Sequence, residues 1–342
     1  FMADPEFVHL HLHTEFSLLD GACHLDELAK HAASMGMKAM AITDHGAMFG
    51  AVGWAAACKK AGIKPIIGCE SYVALGSRLD KSGGGISNAY NHLGMIATTN
   101  EGYHNLAKLT SIAYTEGFYH RPRIDKDILS QHSAGLIGFS GCLASEISQA
   151  LMRDDEAGAI KSVMEFCDIF GKDRFYLELM DHRIPEQTKV NQALMRVQKK
   201  TGLPFVATND AHYLHKDDHE AHAVLLCIGT GKKLADPNRF AFETDEFYVK
   251  SGAEMAALFG HVPEALSNTV KIADMVEFKL DTKEKFPKFD VPAGYTTETY
   301  FEKFAREGFA ERLKVLEPLA ASGRLKVALA DYEARLTREI GV

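Results

Sequence analysis

The sequence predicts an α/β domain whose parallel strands close toward a barrel, followed by a short, mainly helical segment. Three observations predict it. Short β-rich runs alternate with amphipathic helical stretches over the first two thirds of the chain, and seven strand candidates emerge from that alternation. After about Lys279 the texture changes to proline-punctuated sequence and then to long charged helix.

Taken in order, the first strand candidate is "FVHLHL", Phe7–Leu12. Regular alternation along a strand puts His9, His11 and His13 on one face, each about 7 Å from the last. "HLDELAKHAASMG" then repeats apolar residues near a 3.6 period and ends at glycine, as a helix does. The second strand is Lys38–Asp44, and "MFGAVGWAAACKKAG" is the next helix. The third is Lys64–Val73, after which the Gly/Ser-rich stretch Gly76–Asn91 reads as the most mobile loop. His92–Thr99, Gly135–Gly141, Arg174–Asp181 and Leu203–Asp210 complete the seven. Residues 1–6 read as an expression remnant or disordered leader, because a chain beginning Phe-Met is unusual. The expected domains are therefore a barrel over 7–279 and a helical segment over 280–342.

Composition bounds the function without naming it. The chain has 342 residues, 46% hydrophobic and 25% charged, enough to bury a full core. A net charge of −8 argues against a broad basic surface for wrapping DNA, yet permits a local nucleic-acid groove neutralised by divalent metals. No apolar run approaches the roughly 20 residues of a membrane span, and no secretion signal is recognisable, so a cytoplasmic location is expected. Cys23, Cys58, Cys69, Cys142, Cys167 and Cys227 have neither CxxC spacing nor a small-domain framework, so reduced thiols are expected.

Residue types that bind metals recur at strand ends. His11 and His13 end the first strand, Asp44 and His45 the second, Glu70 lies in the third, and Asp210 and His212 follow the last. In parallel β/α barrels those ends converge on one face, which would gather the clusters into a polynuclear site. Each motif has a plainer reading: a lone His-x-His is usually a core or surface pair, and "TDHG" and "NDAH" suit turns and helix caps. Capping alone does not account for three such clusters together. Mixed imidazole and carboxylate donors suit Zn²⁺, Mn²⁺ or Fe²⁺, and ions about 3.5–4 Å apart can clamp a phosphate and generate hydroxide, so phosphoester hydrolysis is the implied class. Other candidates are weaker. "KSGGGIS" lacks the context of a phosphate loop, Ser140 lacks the flanks of a nucleophile elbow, and Cys142 reads as a ligand more readily than as a nucleophile. His215, His219 and His222 share helical spacing and suit exposed or capping roles as well as a site.

The motifs "HLHT", "SLLDGA", "AITDHGAMFG", "AGIKPIIGCE", "NHLGMIA", "SGCLASEI", "ELMDH" and "ATNDAHY" resemble, in this order, the polymerase and histidinol phosphatase (PHP) domain. Within that family the likeness is to the amino-terminal PHP domain of bacterial C-family replicative DNA polymerases, the polymerase III alpha subunits, and runs from about Phe7 to Phe278. "FPKFDVPAGYTTETYFEKFAREGFAERL" looks like the lead-in to the polymerase palm, and without the palm's acidic motif no polymerase activity is expected.

The resemblance implies a distorted seven-stranded β/α barrel with two to three divalent ions, Zn, Mn or Fe. It assigns His11, His13, Glu70 and Asp210 to one ion. Glu70, His92 and Cys142 go to a second, and Asp20, His45 and His212 to a third. Catalysis would act through His11, His13, Glu70, Asp210 and His212. His92 precedes its strand, against the strand-end rule, so His104 competes with it. His9, one step down the barrel, is expected to be structural. Tyr119, Arg121 and Arg123 in "GFYHRPRIDKD" could grip phosphates and stack a base, or form a solvated turn around Pro122. The implied activity is 3′–5′ proofreading exonuclease on a DNA primer end. The implied partners are the remainder of the polymerase chain and other replisome subunits, with no membrane. A silent structural and partner-docking module, or a small-molecule phosphatase of the same family, are the alternatives.

Overall fold

A computed structural model describes residues 6–82, 89–281, 283 and 287–342. The centre of the glycine-rich loop expected to be mobile, 83–88, and most of the expected leader, 1–5, lie outside the described residues. The chain divides into two compact units, Phe1–Leu280 and Asp281–Val342.

The first unit is built on β1 (Ala39–Ile42), β2 (Lys64–Ala74), β3 (Tyr90–Ala97), β4 (Arg123–Ile124), β5 (Leu136–Phe139), β6 (Phe175–Leu179) and β7 (Phe205–Ala207). The order across the sheet is β1-β2-β3-β5-β6-β7, with β4 beside β2. Helices cross between parallel neighbours: Ala51–Ala61 between β1 and β2, Glu156–Phe170 between β5 and β6, Pro185–Thr201 between β6 and β7. The first of these stops at Gly62, whose φ of +75° closes the helix in a left-handed conformation that glycine adopts without a Cβ clash. Its Trp54 is fully buried and donates through Nε1 to Met40 O at 3.2 Å. Truncating a ring buried like this costs about 3–5 kcal/mol.

Two expectations need correction. The strands are not all parallel: β3 runs antiparallel to both β2 and β5. A parallel return needs a crossover of a dozen or more residues, usually a helix, and no helix lies among the described residues between β2 and β3. β3 accordingly pairs antiparallel with the strand that precedes it.

Second, Phe7–Leu12 is not a regular strand. It runs extended between the two ends of the sheet: His9 O accepts from Ala41 N and Leu12 O from Thr43 N, both at 2.8 Å, while His13 N donates to Ala211 O at 2.8 Å. The backbone bends at His11, and the alternation breaks there. Val8 and Leu10 pack with Ala41, Ile66, Ile137 and Phe139, whereas Leu12 packs in the other core cluster with Ile42, Ile67 and Leu177. The three histidines consequently do not share one face. β4, drawn from a proline-containing loop, is the strand the sequence did not suggest.

All six cysteines are free thiols. The second unit contains the helices Thr297–Ala321 and Leu329–Ile340, the first capped by Thr296 Oγ1, which accepts from Thr299 N at 3.3 Å. No helix among the described residues is long and apolar enough to cross a membrane.

Candidate metal centre

The carboxyl ends of the parallel strands deliver the charged side chains. Asp44 and His45 follow β1, Glu70 lies within β2, Gly141 and Cys142 follow β5, Glu178 lies in β6, and Asp210 and His212 follow β7. His92 stands near the start of β3, and the antiparallel direction of β3 brings that start to the same end of the sheet, with His92 opposite Tyr72 and Gly94 opposite Glu70. Its rival His104 is exposed on the helix Asn100–Thr115.

The nine residues named from sequence come together. Glu70 is their hub: its Oε1 lies 3.4 Å from His11 Nε2 and 3.1 Å from His92 Nδ1, and its Oε2 lies 3.5 Å from His13 Nε2 and 2.8 Å from His45 Nδ1. Asp210 Oδ1 is 3.3 Å from His11 Nε2 and 3.1 Å from His13 Nε2. Asp20 Oδ2 approaches His45 Nε2 at 2.9 Å and His212 Nε2 at 3.5 Å. Cys142 Sγ sits 3.3 Å from Glu70 Oε1 and 3.7 Å from His92 Nδ1. Three subsets have donor atoms close enough for one ion: His11, His13 and Glu70; His45, Glu70 and His92; and His13, His45 and His212.

Hydrogen bonds outside the cluster orient its imidazoles. His11 Nδ1 donates to Glu178 Oε1 at 2.8 Å, which fixes the ring so that Nε2 faces inward. Ser17 Oγ donates to Asp44 Oδ1 at 2.7 Å and so accepts from His13 Nδ1 at 2.9 Å. His212 Nδ1 donates to Asp210 O at 2.8 Å. Asp44 is anchored in turn by Thr14 N and Thr14 Oγ1, at 2.7 and 2.8 Å. His222 Nε2, 2.6 Å from Asp20 O, holds the loop that carries Asp20.

Sequence reasoning missed Glu178 and Ser17 as supports, and left His222 open between a site and an exposed or capping role; it is buried against the loop of Asp20. For Glu178 a signal existed: it is a lone charge in the buried apolar strand Phe175–Leu179, a position acidic residues rarely occupy unpaired.

These donors fit a metal. His11 Nε2, His13 Nε2, His45 Nδ1 and Asp210 Oδ1 are buried close to one another and to Glu70 but make no well-directed hydrogen bond, an arrangement that a cation would complete. Burial would raise the carboxylates, but the surrounding histidines hold Asp20, Glu70 and Asp210 well below the ordinary range. Burial, helped by the nearby His45 and His212, pushes His13 down to about 3, whereas the neighbouring carboxylates hold His11, His45 and His212 up in spite of burial. The backbone is strained beside two of the candidate ligands: Leu19 has φ +61° and Asp210 itself φ +44°.

His9 stays outside the cluster. Its Nε2 lies 2.8 Å from Lys250 O and its ring packs edge-on against Phe7. Arg121 is exposed and lines a cleft of about 450 Å³ together with Asp20, His45 and His92. Tyr119 is half-buried, its ring 5.1 Å from the Arg123 guanidinium. Arg123 departs from expectation. It is buried, and its guanidinium donates to the carbonyls of Gly117, Ala89, Arg78 and Asp80, so the geometry that orders it also withdraws it from any phosphate.

The PHP domain family profile matches residues 9–182. A DNA polymerase III subunit alpha of Treponema pallidum is 42% identical over 97% of this chain and 28% of its own length. That of Thermus aquaticus is 45% identical over 90% of this chain and 26% of its own length. The chain thus spans little more than a quarter of these relatives. Among solved structures, a protein of Bifidobacterium adolescentis described as a metal-dependent phosphoesterase aligns over 74% of this chain and 97% of its own, at 13% identity and a TM-score of 0.38.

Proposed function

The chain belongs to the PHP domain family, and from that premise we propose that it hydrolyses phosphodiester bonds with bound divalent metal ions, trimming DNA from the 3′ end as one module of a replicative polymerase chain. The observation that carries this reading is the set of buried, inward-facing donor atoms on His11, His13 and Asp210, gathered around the Glu70 carboxylate without a well-directed hydrogen bond.

His11, His13, Glu70 and Asp210 would hold one ion, Glu70, His92 and Cys142 a second, and Asp20, His45 and His212 a third. Zinc, manganese and iron all suit these donors. When bound, such ions supply Lewis acidity toward a phosphoryl oxygen and a nucleophile at neutral pH.

The protein's own groups do the rest. Glu178 and the Ser17–Asp44 pair hold Nδ1 of His11 and His13, so that Nε2 of both rings stays turned inward. Arg121, exposed in the same cleft, meets the charge of a phosphodiester and orients it toward the cluster. Gly141 N donates to Glu178 Oε2 at 3.0 Å and Thr208 Oγ1 to Glu178 Oε1 at 2.7 Å, so the orienting carboxylate is itself held on both oxygens. The polymerase remainder and other replisome subunits would present the primer end.

The test is metal content together with degradation of a 5′-labelled single-stranded oligonucleotide and a 3′-mismatched primer, for the wild type and for His11→Ala combined with Asp210→Ala. Metal-supported 3′ trimming that the double variant loses is the expected result. Metal-replete wild type without activity on either DNA would overturn the reading in favour of a silent structural module.

A further inference from the structure

The cleft beside the metal centre has an aromatic edge that the proposed chemistry does not use. Phe49 and Tyr114 line it with Arg121, and they are 58% and 42% exposed. Phe49 sits just before the helix Ala51–Ala61, and Tyr114 in the last turn of the helix Asn100–Thr115. Phe118, 49% exposed, lies beside Tyr114. The ring centroids are 6.2 Å apart from Phe49 to Tyr114 and again from Tyr114 to Phe118, with interplanar angles of 47° and 32°. Three large rings in successive contact on the surface keep apolar area in water that folding could have removed.

Resting on the phosphodiesterase reading above, we infer that Phe49, Tyr114 and Phe118 form a stacking rail for unpaired bases of single-stranded DNA, which leads the 3′-terminal phosphodiester past Arg121 to the metal centre. A single strand offers flat bases on one side and phosphates on the other. The cleft offers the complementary pair, exposed rings and a guanidinium beside candidate metal ligands. A protein partner would match the rings but would give no role to a cation and a metal cluster in the same cleft. The net charge of −8 adds a second constraint: without a broad basic surface, affinity has to come from stacking and from contacts at the centre, so its dependence on salt should be shallow.

The experiment measures binding of a 5′-fluorescein hexathymidylate whose linkages are phosphorothioate, so that binding is read apart from cleavage. A matched hexamer with abasic sites in place of its three 3′-terminal bases serves as the control. The rail requires the wild type to bind the normal hexamer more tightly than the abasic one. It requires Phe49→Leu combined with Tyr114→Leu to weaken binding of the normal hexamer by roughly tenfold or more while binding the abasic hexamer as the wild type does. Unchanged thermal melting shows that the variant is folded.

Equal binding of the normal hexamer by variant and wild type overturns the rail, as does an equal loss on both hexamers. Ring-dependent binding without cleavage of unmodified DNA would sustain the rail and defeat the exonuclease reading. Cleavage indifferent to the rings would do the reverse.

Discussion

Glu178 Oε1 accepts from His11 Nδ1 at 2.8 Å, and both residues are fully buried. This contact decides which imidazole nitrogen His11 offers to the centre. Glu178→Gln preserves shape but introduces an amide NH₂ that must face either the His11 N–H or the Gly141 N–H, which the carboxylate now satisfies together. A loss of metal affinity of about 10- to 100-fold is expected, with the fold retained, as orienting partners of this kind generally contribute. Chelator-competition titration with zinc and manganese checks it.

His9 and His11 are two residues apart and should behave differently. His9 is bonded to the Lys250 carbonyl and lies outside the cluster, so His9→Ala removes a buried ring and a hydrogen bond but no donor atom. It should lower unfolding free energy by about 2–4 kcal/mol in urea titrations. Metal stoichiometry, measured by elemental analysis on the same samples, should stay at the wild-type value.

Arg121 and Arg123 reverse that contrast. Arg123→Ala leaves four carbonyls, those of Gly117 and Ala89 buried, without their donor and should destabilise the chain by about 3 kcal/mol. Arg121→Ala, at an exposed position, should shift stability by less than about 0.5 kcal/mol while raising KM for a phosphodiester substrate. Denaturation curves and steady-state kinetics on both variants separate the two roles.

A pH effect is expected away from the centre. Burial would raise the Glu246 carboxyl, but hydrogen bonds from Lys216 at 2.9 Å and from Lys250 hold it at about 2. Because the folded value is depressed, the stabilisation is complete above the unfolded glutamate value of about 4.3 and is lost as pH falls through the folded value. Glu246→Gln should therefore be less stable than the wild type at neutral pH. The gap between their urea midpoints should narrow as pH is lowered from about 4.5 toward 2, because protonation then removes the same charge from the wild type.

Metal removal should be visible in stability as well as in activity. Asp20, Glu70 and Asp210 crowd buried charge into one space, so chelation leaves their mutual repulsion to the histidines alone. The melting temperature should fall on adding EDTA and rise with added metal concentration, following the mass-action term for a ligand that binds only the folded state. Differential scanning calorimetry across a metal titration checks this.

Much of the centre was legible in the sequence because its residues break the pattern around them. His11, His13, His45, Glu70, Asp210 and His212 are polar side chains at or near the ends of apolar β-runs, and a sheet brings such ends together. Local alternation, helix periods and terminal glycines also placed most of the strands and helices.

What they could not convey is direction and partnership over long separations. The reversal of β3, which carries His92 to the site, depends on how β2 and β5 pair with it across the sheet. The bend at His11 exists because that segment must bond to β1 on one side and to Ala211 on the other, and it is this bend that separates His9 from its neighbours. Glu178 acts on His11 from 167 residues away, and Arg123 looks like a phosphate ligand until four carbonyls close around it. The sequence by itself determined which side chains could do the chemistry, through their types and their places at strand ends. Only the tertiary structure decided which of them face one another, because hydrogen bonding and burial are settled by contacts that the order of residues along a chain does not contain.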